Sequence, residues 1–521
     1  SPQKEPSEFA ARILREGGNA FDAAVAGAFA QGVVDPHRSG IGGFGVATLF
    51  EARKLKALVV AFHGRAGSKV QPGIWDGLLE SVSPDGFGYV LKGKVNDVGP
   101  KAITVPGFVR GIEKMHAGRG RLPWARLIEP AIALAEEGWV VTRQMHEYWR
   151  RPGLAGRPSA YDRIAGTPEG RKHAVKPDGQ PYAEGERMRL PGLAAAYRRL
   201  AQAGPDDFYS GQMARTLMNE LGDSAFFTPK DLAGYRAEEE DPVRARYRDL
   251  ELFAPGAPAG GIPLLQVLML AERLDLAALG HNTLEFFDRM AGLLSRMHDA
   301  RARKIGDPKF FGTDARELLS ENDLREWMDR PIPATPPGEE IAGTIQLTVV
   351  DAEGNAVSLN HSLGYGSGVF SDAYGFAYNN CMSCFDPRPD RPDSLAPGRA
   401  RFTAVAPLVG LRGGDLVLVT GGPGAARITA AVGETVLNLV DFGMSAHESV
   451  EAERFDAVAR EVYFCSGVPA AIEAGLKARG WACKRSPRPN GYIGRVFPLW
   501  KTPSGWQGGT DPAEAGAVVR A

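Results

Sequence analysis

Hydrophobic and polar positions follow two different periods along this chain, and the change of period divides it. Near the start, Glu8-Phe9-Ala10-Ala11-Arg12-Ile13-Leu14-Arg15 has a helical period, breaks at Gly17-Gly18-Asn19, and resumes from Ala20 through Phe29. The resumed stretch is apolar nearly all round, which predicts a buried central helix. Residues 46–50 and 58–62 predict paired strands. Helices are expected over 105–142 with capped breaks, then over 191–203, 211–221, 262–279 and 286–305, with a strand pattern at 242–253. Residues 147–190, rich in Arg, Pro and Gly, read as a surface connection. Beyond residue 343 the period shortens. Gly343-Thr344-Ile345-Gln346-Leu347-Thr348-Val349-Val350 and Ala356-Val357-Ser358-Leu359 flank Asp351, Glu353, Gly354 and Asn355, the residue types of a tight turn, so a β-hairpin is expected. Further strands are predicted at 375–379, 402–411 and 416–420. Residues 1–343 thus read as mainly helical and 344–521 as strand-rich.

At 521 residues the chain is long enough for two cores or one large layered domain. Its 61 basic and 62 acidic residues nearly cancel, leaving a formal net charge of -1 and no electrostatic case for nucleic acid or an anionic membrane. The uncharged run Ala23–Val34 is too short for a span of ~20 residues, so no membrane segment is expected. The chain opens without a charged and then apolar leader pattern; a soluble protein, cytoplasmic or periplasmic, is the expectation. Cys381, Cys384, Cys465 and Cys483 all lie in the last third. Cys381-Met382-Ser383-Cys384 invites a metal reading, but no second ligand pair stands at zinc-finger spacing, so reduced thiols are expected.

Chemistry enters at the head of the hairpin. Thr344 follows a glycine and the segment Pro331-Ile332-Pro333-Ala334-Thr335-Pro336-Pro337-Gly338, which predicts an exposed, cleavable bond at Gly343–Thr344. A cut there places a free amine beside the Thr344 hydroxyl, a nucleophile and its base in one residue. Farther on, Gly421-Gly422-Pro423-Gly424-Ala425-Ala426-Arg427 leads into a helix expected at 427–442 and aims backbone N–H groups at one spot. That spot reads either as an oxyanion site or as an ordinary helix start. Arg65 follows a buried strand, where an ion-pair partner is the commoner role and a carboxylate clamp the functional one. His361 and His447 belong to no G-x-S-x-G elbow, so a serine hydrolase is not favoured.

Eight segments, taken in order, resemble one family, the γ-glutamyltranspeptidases. They are Glu16-Gly17-Gly18-Asn19-Ala20-Phe21-Asp22-Ala23-Ala24, Gly40-Ile41-Gly42-Gly43, Val105-Pro106-Gly107, Leu122-Pro123-Trp124, Asp231-Leu232-Ala233-Gly234-Tyr235, Gly306-Asp307-Pro308, the stretch around Thr344, and Gly422-Pro423-Gly424. The resemblance implies an α+β fold, the four-layer αββα sandwich of the N-terminal nucleophile hydrolases. It implies self-cleavage at Gly343/Thr344 into two associated subunits, 1–343 and 344–521, a small amide substrate, and neither cofactor nor metal. Residue by residue, it makes Thr344 the nucleophile, Ser362 the hydroxyl that orients it, and Gly424 and Ala425 the oxyanion donors. Arg65 becomes the clamp for the donor's carboxylate, with Thr403, Ala404, Asn360 and Cys384 as further substrate-binding candidates. Cys384 stands where the family has the acidic residue that holds the glutamyl ammonium, Gly364 where it has an asparagine, and Thr403 and Ala404 where it has serines. A neutral thiol does not pair with an ammonium, and losing the partner of a buried charge costs ~3–5 kcal/mol. The expected activity is therefore an amidohydrolase for a carboxylate-bearing acyl group, γ-glutamyl or related. An oxamate- or glutaryl-type acylase and an unprocessed binding protein are the alternatives.

Overall fold

The structure is a computed structural model that describes residues 1–82, 88–153, 156–332, 343–487, 491 and 493–521; the expected linker from Pro333 to Gly338 lies outside the described residues. Two antiparallel sheets are stacked. In the first, the strands run in the order Gly343–Val350, Ala356–Gly364, Phe44–Glu51, Lys56–Phe62, Glu238–Glu240. In the second the order is Gly505–Gly508, Leu499–Thr502, Asp415–Thr420, Leu408–Arg412, Leu250–Ala254, Val243–Tyr247. Phe50, Ala57, Ala356, Val409, Leu416 and Val419 fill the space between the sheets. Helices Ala20–Val34 and Phe108–His116 pack on the outer face of the first, while Gly261–Arg273, with Ile428–Val440 beside it, covers the second. The result is the four-layer αββα sandwich. Both sheets draw strands from either side of residue 343, so neither part closes a sheet alone.

Local chemistry explains the central elements. Asn19 and Asp22 form a reciprocal capping box at the start of Ala20–Val34, every residue of which is buried, as its all-round apolar pattern requires. In the hairpin turn, the Asp351 carboxylate accepts the N–H groups of Glu353 and Asn355 at 2.9 Å each, and Gly354 supplies a positive φ of 86°. The register pairs Leu347 with Leu359 and Val349 with Val357.

Three expectations need correction. Residues 375–379 form no strand; Phe370–Ala377 and Gly42–Tyr378 are isolated bridges. Of 402–411, only Leu408–Arg412 is strand, because Thr403 and Val405 bond instead to the turn Pro258–Gly260 (Thr403 N–H to Pro258 O 2.8 Å, Gly260 N–H to Val405 O 2.9 Å). The 147–190 connection contains helices Arg143–Arg150, Ala160–Ala165 and Pro168–Ala174. It also sends Arg157 and Arg163 inward to the buried Asp97 carboxylate. The helix expected at 427–442 is found as Ile428–Val440, and Ala446–Glu451 and Ala470–Ala478 are further helices that the sequence reading did not mark.

Candidate active site

Thr344 lies one residue inside its strand, at a register irregularity between Gly343 and Ile345. Its Oγ1–H donates to Ser362 Oγ at 3.3 Å. Ser362 donates its own proton through a short contact to the Gly343 carbonyl oxygen and accepts the Gly364 N–H at 2.8 Å. A hydroxyl has one proton and two lone pairs, so Ser362 is fully engaged between the threonine hydroxyl and the carbonyl one bond away. The expected exposure of the Gly343–Thr344 bond is not found: Gly343 is buried and Thr344 is 5% exposed. A Cβ at position 343 would come within 2.9 Å of Arg38 Cγ and 3.0 Å of the Gly364 carbonyl oxygen, so only glycine fits.

Beside this bond runs a buried chain of charge. Arg38 pairs with Asp35 through Nε (2.9 Å) and with Glu514 through Nη1 (3.0 Å), and Glu514 meets Arg495 Nε at 3.0 Å. Burial opposes ionisation of Glu514, yet Arg38 and Arg495 hold its pKa below the usual carboxylate range. The Arg495 N–H then donates to Pro423 O at 2.8 Å, which ties this chain of charge to the glycine-rich turn.

That turn requires its glycines. A Cβ on Gly422 would lie 1.7 Å from the Arg495 carbonyl oxygen, and Gly424 has φ of +148°. Ala425 has φ of +52°, a left-handed conformation that costs an L-residue roughly 1–2 kcal/mol. The turn leads into a 3-10 segment, Ala425–Arg427, before the helix Ile428–Val440. Asn360 does not line the pocket; its amide donates to Ile345 O and Gly422 O, both at 3.1 Å. It pins the threonine's strand to the turn.

Thr344, Ser362, Cys384, Arg401, Thr403, Ala404 and Ala425 converge on one pocket. Its free volume in this uncut chain is about 10 Å³, close to what a single water needs. A larger cavity of about 690 Å³ between Leu14, Arg121, Trp506 and Val518 contains no nucleophilic hydroxyl, thiol or imidazole, so size does not mark the site. Arg65 is absent from the pocket lining. Its guanidinium pairs with Glu238 at 3.1 Å and Asp307 at 3.4 Å, the ion-pair surroundings its place after a strand suggested. Arg401, which the sequence reading passed over immediately before the strand expected at 402–411, is the cation that lines the pocket among the described residues. His361 is buried against Gln31 Oε1 (2.8 Å) with its pKa lowered by burial to about 3. His447 is exposed beside Glu451; neither histidine reaches the pocket. Cys384 is half-buried and in no disulfide, and its thiol pKa is raised mainly by burial. Among the described residues, no group of three or more His, Cys, Asp or Glu side chains is placed to hold a metal ion, and no helix is long and apolar enough to cross a membrane.

Residues 6–521 match the family described as Gamma-glutamyltranspeptidase. The chain belongs to that family. It is 32% identical over 540 residues to the acylase ACY 1 proenzyme of Pseudomonas sp. (strain V22), covering 98% of this chain and 92% of that protein. It is 31% identical to the glutathione hydrolase proenzyme of Pseudomonas aeruginosa, covering 87% of this chain and 81% of that protein. The solved cephalosporin acylase from Bacillus halodurans superposes with a TM-score of 0.83 at 25% identity, over 100% of this chain and 94% of that one. This γ-glutamyltranspeptidase-family chain is accordingly a hydrolase of the amidohydrolase and acylase kind, built on the N-terminal nucleophile hydrolase fold.

Proposed function

We propose that the protein is an autoprocessing amidohydrolase that cuts itself at Gly343–Thr344 and then uses Thr344 to cleave the amide of a carboxylate-bearing acyl donor. The observation that carries this reading is the Ser362 hydroxyl, which bridges the Thr344 hydroxyl and the Gly343 carbonyl. In processing, Thr344 Oγ1 attacks the Gly343 carbonyl carbon while the Ser362 proton polarises its oxygen. The Thr344 hydroxyl proton passes to the nitrogen as the C–N bond breaks, which frees the Thr344 amine, and water hydrolyses the resulting ester to leave the Gly343 carboxylate and the Thr344 hydroxyl. Residues 1–343 and 344–521 then remain associated as two subunits, because each sheet contains strands of both. The burial of the bond favours self-cleavage over attack by another protease, which needs an exposed loop.

In catalysis the freed amine takes the proton of its own hydroxyl, Thr344 attacks the substrate carbonyl, and the N–H groups of Gly424 and Ala425 receive the oxyanion. Collapse expels the amine and leaves a threonyl ester that water hydrolyses. Hydrolysis is preferred to transfer, since no acceptor site is marked. The uncut pocket admits a water but no acyl group, so substrate entry follows the rearrangement that cutting permits.

The acylase form of this reading is favoured over a true γ-glutamyl specificity by the pocket's charge. Its lining holds Arg401 and no carboxylate among the described residues, and the nearby Asp97 is held by Arg157 and Arg163, so a substrate ammonium lacks a counter-charge. Mass spectrometry of purified protein is expected to find two chains meeting at Gly343/Thr344, and Thr344→Ala to remain intact and inactive. A panel of glutaryl, oxamate and γ-glutamyl amides is expected to show poorer turnover of the γ-glutamyl member. An uncut wild-type chain after prolonged incubation would sink the reading.

A further inference from the structure

Arg401 occupies a place that the family resemblance assigned to no functional residue. It is buried, lines the pocket that contains Thr344, and lies at the head of the irregular stretch that carries Thr403 and Ala404. Its Nη1 donates to the Phe402 carbonyl oxygen at 2.8 Å, and its guanidinium carbon stands 4.6 Å from the centre of the Phe44 ring. Stacking of this kind fixes the plane of the fork and leaves its edges to receive planar anions. The groups it interacts with include the thiols of Cys381 and Cys384 and the carboxylate of Asp393, which it shares with Arg301 and Arg399. A guanidinium keeps its charge at any working pH.

Arg65 has the opposite surroundings. Glu238 and Asp307 both contact it, and it stands off the pocket lining. A substrate carboxylate arriving at Arg65 has to compete with two protein carboxylates in direct contact; one arriving at Arg401 meets a buried cation with thiol and aromatic neighbours, whose nearby carboxylate, Asp393, also faces Arg301 and Arg399.

We propose that Arg401, rather than Arg65, selects the acyl group, its guanidinium receiving the distal carboxylate of a dicarboxylic half-amide whose reacting carbonyl lies at Thr344. This rests on the reading of Thr344 as the nucleophile. It also explains the thiol at Cys384: beside a cation that binds a lone carboxylate, an acidic side chain would compete with the substrate, and an ammonium on the acyl chain would be repelled. Thr403 adds a hydroxyl to the same wall, a further donor for the carboxylate.

The test uses the processed two-chain enzyme and paired chromogenic amides, glutaryl and butyryl p-nitroanilide, which differ only by the carboxylate. Wild type is expected to favour glutaryl, and Arg401→Gln to reduce the glutaryl-to-butyryl ratio of kcat/KM by about 100-fold, chiefly through KM, as for a lost buried ion pair. Arg401→Lys should restore part of the ratio, and Arg65→Gln should leave it within about threefold, as expected for a residue outside the contact. A wild-type preference for butyryl, or a ratio that collapses with Arg65→Gln and survives Arg401→Gln, would overturn the proposal. Calorimetry of free glutarate against butyrate supplies a second readout on the wild type and on each variant. Equal binding of the two acids by the wild type also overturns the assignment, including when Arg401→Gln does not fold. If the wild type turns over neither amide, the Thr344 reading fails, while selective glutarate binding lost in Arg401→Gln still upholds the anion site.

Discussion

Arg65 and Arg401 stand at the ends of neighbouring stretches, Arg65 bridging in backbone to Ala400, yet their environments are opposite. The first is contacted directly by Glu238 and Asp307; the second lines the pocket among thiols and an aromatic ring and shares the carboxylate of Asp393 with Arg301 and Arg399. An arginine's motif position therefore does not set its role. What decides is how the protein distributes its carboxylates: two on Arg65, and one shared by Arg401 with two further arginines.

His63 lies within electrostatic reach of both arginines and offers the largest test of this contrast. Burial first, then Arg65, Arg401 and Lys309, lower its pKa to about 3; burial lowers His37 and His361 to about 3 as well. Each has a folded pKa below its unfolded one of 6.5, so the unfolded chain binds more protons below pH 6.5. The stability these neutral imidazoles contribute is complete above pH 6.5 and is lost as pH falls toward 3. The slope is about 1.4 kcal/mol per pH unit for each, hence about 4 kcal/mol per unit for the three between roughly pH 6 and 4. Because the buried carboxyls of Asp35 and Asp393, raised to about 6, titrate in the opposite sense, the check is made on one site. The gap in denaturation midpoint between wild type and His63→Gln should narrow as pH falls from 7 to 5, and a gap independent of pH would contradict this.

Arg65→Gln should cost about 3 kcal/mol of stability by stranding the buried Asp307 carboxylate, read as a lower denaturation midpoint in the processed enzyme. A stable Arg65→Gln variant with lost selectivity would reverse the contrast. Removing the two amide bonds of Asn360 with Asn360→Ala should cost about 2 kcal/mol and depress kcat more than KM, because the glycine turn is released from the Thr344 strand. An effect confined to KM would instead make Asn360 a substrate contact. Smallest is Ala425→Gly, expected to stabilise the chain by about 1 kcal/mol by relieving a left-handed alanine. A destabilised Ala425→Gly would show that the methyl group's packing outweighs its backbone cost.

Much of the reactive end was legible in sequence because it is local. Alternation and turn residues predicted the hairpin that carries Thr344, the adjacent glycine is the residue its crowded position demands, and the glycine-rich turn was marked before its helix. The errors arose where distant parts meet. Strand pairing was overstated at 402–411 because residues 403 and 405 bond to a turn some 145 positions earlier, at 258–260. The 147–190 connection was read as surface because its arginines' partner, Asp97, lies far away in sequence.

By itself, then, the sequence singled out Thr344 and the glycine turn through short-range patterns of polarity and backbone freedom, and its eight ordered motifs, by their resemblance to one family, supplied the layered fold, the family and Ser362. Only the tertiary structure decided that the Gly343–Thr344 bond is buried, that Asn360 is a pin, and that Arg401 rather than Arg65 lines the pocket. The physical reason is that burial and charge neutralisation are properties of neighbours in space: Arg65's carboxylates lie 173 and 242 positions along the chain, where no local pattern reaches.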